Sequence, residues 1–179
     1  MFQKLNIRLE DIDFKKLKYS KPRKYVEGAD ILSGRFDEHN IRMQQNALLE
    51  VIKEIVVFQL PPDDINITVI ESGGAIAPHT DVCCTALNYY VHAEKEVTTF
   101  YNNLTGHKWP ASTPGLHGYD IDQLAPVCSF VAVTNDCYLI NTHVPHTVSF
   151  SYANSTRTLL RFVWNHANFE QVLSSIQLK

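Results

Sequence analysis

Long apolar runs are missing from this chain: no stretch approaches the roughly eighteen residues that a membrane-spanning helix needs. The N-terminus, M-F-Q-K-L-N-I-R-L-E-D, has no apolar segment of the kind that opens a secretory signal. Cysteine is scarce, with Cys83, Cys84, Cys128 and Cys137 showing no C-x-x-C spacing, which excludes a zinc ribbon or knuckle. Adjacent cysteines are poor disulfide partners for each other, so reduced and largely buried thiols in a reducing compartment are expected. An excess of positive charge is also absent, since 16 basic residues face 19 acidic ones for a net charge of -3. That balance gives no electrostatic case for nucleic acid. One basic run, K-K-L-K-Y-S-K-P-R-K at residues 15–24, reads as a solvated face or arm. These absences together predict a soluble, intracellular protein whose partners include neither membrane nor nucleic acid, and nothing in them specifies an oligomeric state.

What is present is an ordinary globular composition, 45% hydrophobic and 20% charged. At 179 residues the chain suffices for one domain with a sizeable core, expected to span 1–179 with its centre at about 65–164. Residues 2–34, punctuated by Pro22, Gly28 and Gly34, read as loop-rich with at most short strands. Over residues 36–57, Ile41, Leu48, Val51, Ile52 and Ile55 recur at helical spacing and predict a supporting amphipathic helix, ended by Pro61 and Pro62. Beyond it the period falls from 3.6 to 2. Strands are predicted at 65–71, 85–91, 96–101, 127–134, 137–141, 146–152 and 157–164, with turns at Ser72-Gly73-Gly74, Asn135-Asp136 and Asn154-Ser155. The runs at 85–91 and 96–101 look like a hairpin, and a short helix is expected near the C-terminus. One helix followed by many short strands is a mainly β, α+β plan, most simply a sandwich or barrel with helical support.

The stretch A-P-H-T-D-V at residues 77–82 carries the sharpest chemical signal. On an extended strand, period-2 alternation sends His79 and Asp81 to one face. An imidazole and a carboxylate so placed are two of the three ligands of a 2-His-1-carboxylate facial triad, which leaves open positions on Fe(II). The third ligand is sought in L-I-N-T-H-V-P-H-T-V. There His146 opens a strand while His143 lies in the turn before Pro145, and a strand holds a ligand more firmly, so His146 is preferred. Arg157 follows eleven residues later. Nothing acidic lies between Asp136 and Glu170 to pair with it locally, so its partner is either a dicarboxylate ligand or a carboxylate distant in sequence. Arg161 competes with it, being on the same strand face.

The order H-x-D, distal histidine, then arginine resembles the 2-oxoglutarate- and iron(II)-dependent oxygenases. P-H-T-D followed by A-L-N-Y-Y-V, T-T-F-Y and P-H-T-V is similar to their prolyl-hydroxylase-like and aspartyl/asparaginyl-hydroxylase-like branches. The resemblance covers about 65–164 and implies a double-stranded β-helix (jelly-roll) fold. It implies that His79, Asp81 and His146 are the catalytic Fe(II) ligands and that Arg157 binds the distal carboxylate of 2-oxoglutarate. Asn88, Tyr90 and Tyr101 are implied cosubstrate-pocket residues, with Asn141 and Tyr138 as outer support. Dioxygen completes the cofactor set, and hydroxylation of an amino-acid or peptide side chain or of a small metabolite is the implied activity. Where some branches place a serine two residues after the arginine, this chain has Leu159.

Two other readings accompany this one. A cupin-like metalloprotein would use the same barrel for different chemistry, usually with more histidines and no task for the arginine. A non-catalytic jelly-roll binding module would make H-T-D accidental. The long segment 102–126, with His107, Trp109, His117 and Tyr119, reads as a structureless lid that borders the substrate.

Overall fold

A computed structural model describes residues 1–9, 23–25, 36–42, 45–72, 75–110, 117–150 and 155–179. Eight strands make the frame: β5 (Asp64–Ser72), β6 (Ala75–Thr80), β7 (Thr85–His92), β8 (Glu94–Asn103), β11 (Leu124–Val133), β12 (Cys137–Asn141), β13 (His146–Ser149) and β14 (Ser155–Trp164). Around them lie β1 (Phe2–Leu5), β2 (Arg23–Tyr25), β3 (Phe36–Arg42), α1 (Gln45–Ile52), β4 (Val56–Phe58), β9 (Trp109–Pro110), β10 (His117–Gly118), α2 (Phe169–Ser175) and β15 (Ile176–Leu178).

The seven-stranded sheet runs β1-β12-β7-β14-β5-β3-β2 and the six-stranded sheet β11-β8-β13-β6-β10-β9; β4 and β15 form a separate pair. Taken in chain order, the eight frame strands alternate between sheets until β8, pass to β11 in the same sheet, and alternate again back to β14. The first and last strands, β5 and β14, are neighbours. Every pairing is antiparallel. This winding is a double-stranded β-helix.

Side-chain alternation sorts two cores. On β14, Leu160, Phe162 and Trp164 face outward from the barrel, onto Leu48 and Ile52 of α1 and Val172 of α2, with Ile7, Leu9, Leu87 and Tyr89. Leu159 faces inward with Tyr90, Phe100, Phe130 and Tyr138. Because both of its faces are covered, β7 is buried over its first six residues and reads as a nearly continuous apolar run. Phe162 is 1% exposed and packs 5.2 Å from the Phe58 ring. Phe162→Ala is therefore expected to cost about 3–5 kcal/mol, read as a lower urea midpoint with an unchanged slope.

Three expectations need correction. The helix predicted over 36–57 begins only at Gln45, because 36–42 is the strand β3, paired along β5 from Phe36↔Ser72 to Arg42↔Asn66. Long-range pairing overrides a local helical stripe there. The runs at 85–91 and 96–101 are strands but not a hairpin: β7 pairs β12 and β14, whereas β8 pairs β11 and β13. Their connection, H-A-E-K, contains no tight-turn dipeptide, and Lys95 takes a positive φ of 62° as the chain crosses between sheets. The segment 102–126 is not structureless, since it contains β9, β10, a 3-10 turn at Ile121–Gln123 and the start of β11.

Other expectations have direct counterparts. Asn135 adopts the left-handed conformation (φ 71°) that asparagine tolerates in turns. The C-terminal helix is capped by Asn168, whose side chain accepts from Gln171 N while Gln171 returns the bond. All four cysteines are free thiols, with Cys83 and Cys137 buried. Most of the basic run at 15–24, and Asn154 of the last predicted turn, lie outside the described residues. Among the described residues, no helix is long and apolar enough to cross a membrane.

Candidate metal centre

His79 lies near the end of β6 and Asp81 just past it, where the Asp81 amide donates to Thr142 O at 3.0 Å. His146 opens β13 directly opposite His79, in the register His146↔His79. Directly opposed residues of antiparallel strands share a face, and the two imidazole centroids are 4.4 Å apart. One ligand atom from each of His79, Asp81 and His146 lies within 4.8 Å of the others, a cluster able to hold a metal ion. His143 takes no part, being exposed in the turn, where its amide bonds Asn141 Oδ1 at 3.2 Å.

The local backbone presets both imidazoles. His79 Nδ1 lies 2.7 Å from Ala77 O and His146 Nδ1 2.9 Å from Val144 O. A carbonyl only accepts, so each Nδ1 is the protonated donor and each Nε2 is left for a metal. Burial and then the neighbouring His79 push His146 down to about 4, which keeps it neutral. At His79 burial opposes the charge, but the Asp81 carboxylate and the Ala77 carbonyl outweigh it and leave the group raised. At Asp81 burial is outweighed by the Arg161 guanidinium and the two histidines, so the carboxyl stays well below its ordinary range. Two neutral-capable imidazoles and a firm carboxylate are the hard and borderline donors that suit a divalent first-row metal.

Arg161 hydrogen-bonds Asp81 Oδ2, leaving Oδ1 on the side of His79 Nε2 at 3.3 Å. It also approaches Cys83 Sγ at 3.6 Å. Its place is thus beside the carboxylate as a positioning group. Arg157 stands elsewhere on the same inward face, two side chains toward the start of β14. It is 6% exposed, its Nε 4.0 Å from Glu96 Oε1, with the Phe150 ring 5.8 Å from the guanidinium.

Of the other predicted site residues, Asn88 and Tyr90 are buried and share the inward face of β7, Asn88 opposite Arg161 and Tyr90 opposite Leu159. Tyr101 is not brought to this face. His146 pairs with Phe100, so the adjacent Tyr101 points away, and its hydroxyl bonds Thr147 Oγ1 at 3.1 Å. Tyr138 stacks on Phe130 and donates to Asp136, and Asn141 caps the turn at His143, so neither touches the cluster. Leu159 is 2% exposed between the two arginines.

Glu96 and Thr98 escaped the sequence reading. Both belong to the inward face of β8, which the alternation E-x-T-x-F through Phe100 would have revealed. Trp109 has a defined place too: the register runs Trp109↔Gly118↔His79↔His146 across the small sheet, all on one face. A Cβ on Gly118 would stand 2.8 Å from the Trp109 ring, so glycine there lets the indole lie toward the cluster. Gly118→Ala is expected to displace that ring. Since Trp164 lies on the helix-covered face, quenching of tryptophan emission by bound Co(II) should be strong in the parent protein and largely lost in the variant.

No protein-family model matches the chain, and no curated protein matches it. Among solved structures it is similar to vicilin from Capsicum annuum, at 14% identity and TM-score 0.42 over 81% of this chain and 31% of that one. It is similar to E. coli ycfD at 17% and 0.43, over 83% and 39%. It is also similar to a Bacillus subtilis oxalate decarboxylase, OxdC, at 12% and 0.39, over 76% and 28%. The chain therefore spans well under half the length of these proteins. Such values assign no activity, and the fold stands on the strand order itself.

Proposed function

We propose that this protein is a 2-oxoglutarate- and Fe(II)-dependent dioxygenase that hydroxylates an amino-acid or peptide side chain or a small metabolite. The observation that carries the reading is the convergence of His79, Asp81 and His146 at one end of a barrel whose interior also holds a buried arginine on the last strand. The interior fits the far end of a dicarboxylate. Arg157 Nε is buried and lacks a hydrogen-bond partner among the described residues, while the buried Tyr90 and Thr98 hydroxyls interact with each other. Burial, opposed by Arg157 and assisted by Glu96, pushes the Tyr90 phenol up to about 12, so it remains a donor. A buried guanidinium N–H without a hydrogen-bond acceptor is costly unless a ligand supplies one.

In this reading His79, Asp81 and His146 hold the iron, and their number leaves coordination positions open. When bound, iron with 2-oxoglutarate and dioxygen supplies the oxidising chemistry that turns the cosubstrate into succinate and carbon dioxide as a substrate C–H bond is hydroxylated. The chain orients and shields the reactants. Ala77 O and Val144 O fix the imidazole rings, Arg161 holds the outer oxygen of Asp81, and Arg157 with Tyr90 and Thr98 grips the distal carboxylate. Arg161 is too near Asp81 to serve that far end. Phe100, Leu159 and Phe130 keep the interior dry.

One observation favours a second reading, a cupin-like metalloprotein without 2-oxoglutarate: Arg157 already faces an internal carboxylate, Glu96. Anaerobic reconstitution separates the two. The oxygenase reading expects 2-oxoglutarate to bind only once metal is present, and peptides or amino acids to stimulate succinate release in air. Metal binding with no response to 2-oxoglutarate leaves the cupin-like reading, and failure to bind metal sinks both.

A further inference from the structure

The pair Glu96 and Arg157 is an odd occupant of a carboxylate pocket. Glu96 is 1% exposed and Arg157 6%, yet Arg157 Nε and Glu96 Oε1 stand 4.0 Å apart, beyond hydrogen-bond reach. Neither atom has a hydrogen-bond partner among the described residues. The other carboxylate oxygen, Oε2, accepts from Glu94 N at 2.9 Å, which pins the side chain in the barrel rather than letting it swing to solvent. A buried pair this poorly joined recovers little of its desolvation. Two unsatisfied atoms facing each other at this distance mark a contact that neither partner completes.

We infer that Glu96 is a proton-linked gate on the Arg157 site: an anionic carboxylate ligand binds Arg157 as Glu96 takes up one proton from solvent. The inference rests on the oxygenase reading for the identity of the ligand, but the gate concerns only this chain's own carboxylate. Charge balance requires it. The single guanidinium cannot neutralise both a ligand carboxylate and Glu96 in a dry pocket, and protonation removes the excess negative charge. The proton adds to Glu96, no bond to carbon changes, and the neutral carboxylic acid gains an O–H that can donate to the ligand.

The surroundings leave Glu96 free to play this part. Burial pushes its carboxyl up from the ordinary value, against the pull of the backbone amides, Arg157 and His92. Facing it are Arg157 from β14 and Tyr90 from β7, with His92 farther along β7 and itself 3.4 Å from Glu94. The flanking strands β11 and β13 offer Ala132 and Val148 on this face, neither titratable. An anion placed on Arg157 offsets the attraction of that guanidinium for the charged form of Glu96 and adds repulsion, so its proton affinity rises on binding. By linkage, ligand affinity is highest at low pH and falls as pH rises between the free and the bound pKa, by up to about tenfold per pH unit for one proton.

The test is calorimetric titration of the Mn(II)-loaded protein with 2-oxoglutarate under nitrogen, from about pH 6 to about pH 8.5, in paired buffers of different ionisation enthalpy. The expected result is uptake of close to one proton at the upper pH values and a falling affinity. Glu96→Gln, which keeps the shape and removes the charge, should bind about tenfold more tightly near pH 8, with no proton uptake and a flat profile. A parent protein that binds without taking up a proton overturns the gate, and so does a Gln variant that folds yet keeps the parent's slope. Binding that is lost in Arg157→Met but carries no proton leaves the oxygenase reading standing while the gate falls. If the metal-loaded parent does not bind 2-oxoglutarate at all, both fall.

Discussion

Replacing His146 with alanine is expected to lower the affinity for Fe(II) by at least about 100-fold and to stop turnover, because loss of a support one shell out already costs 10–100-fold. His146 Nε2 is one of three ligand atoms, and its ring is set by Val144 O on one side and by Phe100, 5.8 Å away, on the other. The fold should survive, since the residue borders the cluster and belongs to neither apolar core. His143→Ala is the matched control. That side chain is exposed in the turn, three residues away, and its loss should leave metal affinity unchanged. Anaerobic titration with Co(II), followed by visible absorption, measures both.

The second large effect is expected at Arg157. Arg157→Met removes the guanidinium but leaves Glu96 fully buried without its counter-charge. Stranding one partner of a well-joined buried pair costs about 3–5 kcal/mol; at this looser contact the loss is expected below that range, and urea unfolding at neutral pH would show it. Because Glu96 escapes by taking a proton, the loss should shrink as pH falls toward the carboxyl range. Arg157→Met combined with Glu96→Leu should recover most of the stability, since apolar replacement of a whole buried pair is often neutral. The double variant should still fail to bind 2-oxoglutarate. That separates the role of Arg157 in ligand binding from its role in folding.

Much of this site could be read before any coordinates. The H-x-D spacing on a strand places His79 and Asp81 together because alternation is local, and a strand-opening histidine was preferable to one in a turn. In the register of β13 with β6, His146 lies directly across from His79. The division of labour between the arginines was harder to see. Arg157 and Arg161 share one face by alternation alone, but only the pairing of β14 with its neighbours shows that Arg161 reaches Asp81 while Arg157 reaches Glu96. Those partners are 80 and 61 positions away in sequence, where no local pattern speaks.

The misreadings share a cause. The stripe over 36–57 has a helical period of its own, yet residues 36–42 pair along β5 as a strand. The supposed hairpin of β7 and β8 followed the rule that neighbouring strands pair, whereas a double-stranded β-helix sends successive strands to opposite sheets. Tyr101, a weaker pocket candidate than Asn88 and Tyr90, is directed outward to Thr147 by its parity on β8. Parity within β8 also makes Glu96 and Thr98 inward-facing, a signal present in the sequence that required knowing which side of that strand was the interior.

The most direct test of the account is succinate formation by the iron-loaded protein in air, with 2-oxoglutarate alone and then with peptides and free amino acids. The account predicts slow succinate release that requires both iron and 2-oxoglutarate, accelerates with a substrate, and disappears in His146→Ala. An iron-loaded protein that forms no succinate from 2-oxoglutarate under any of these conditions would contradict it.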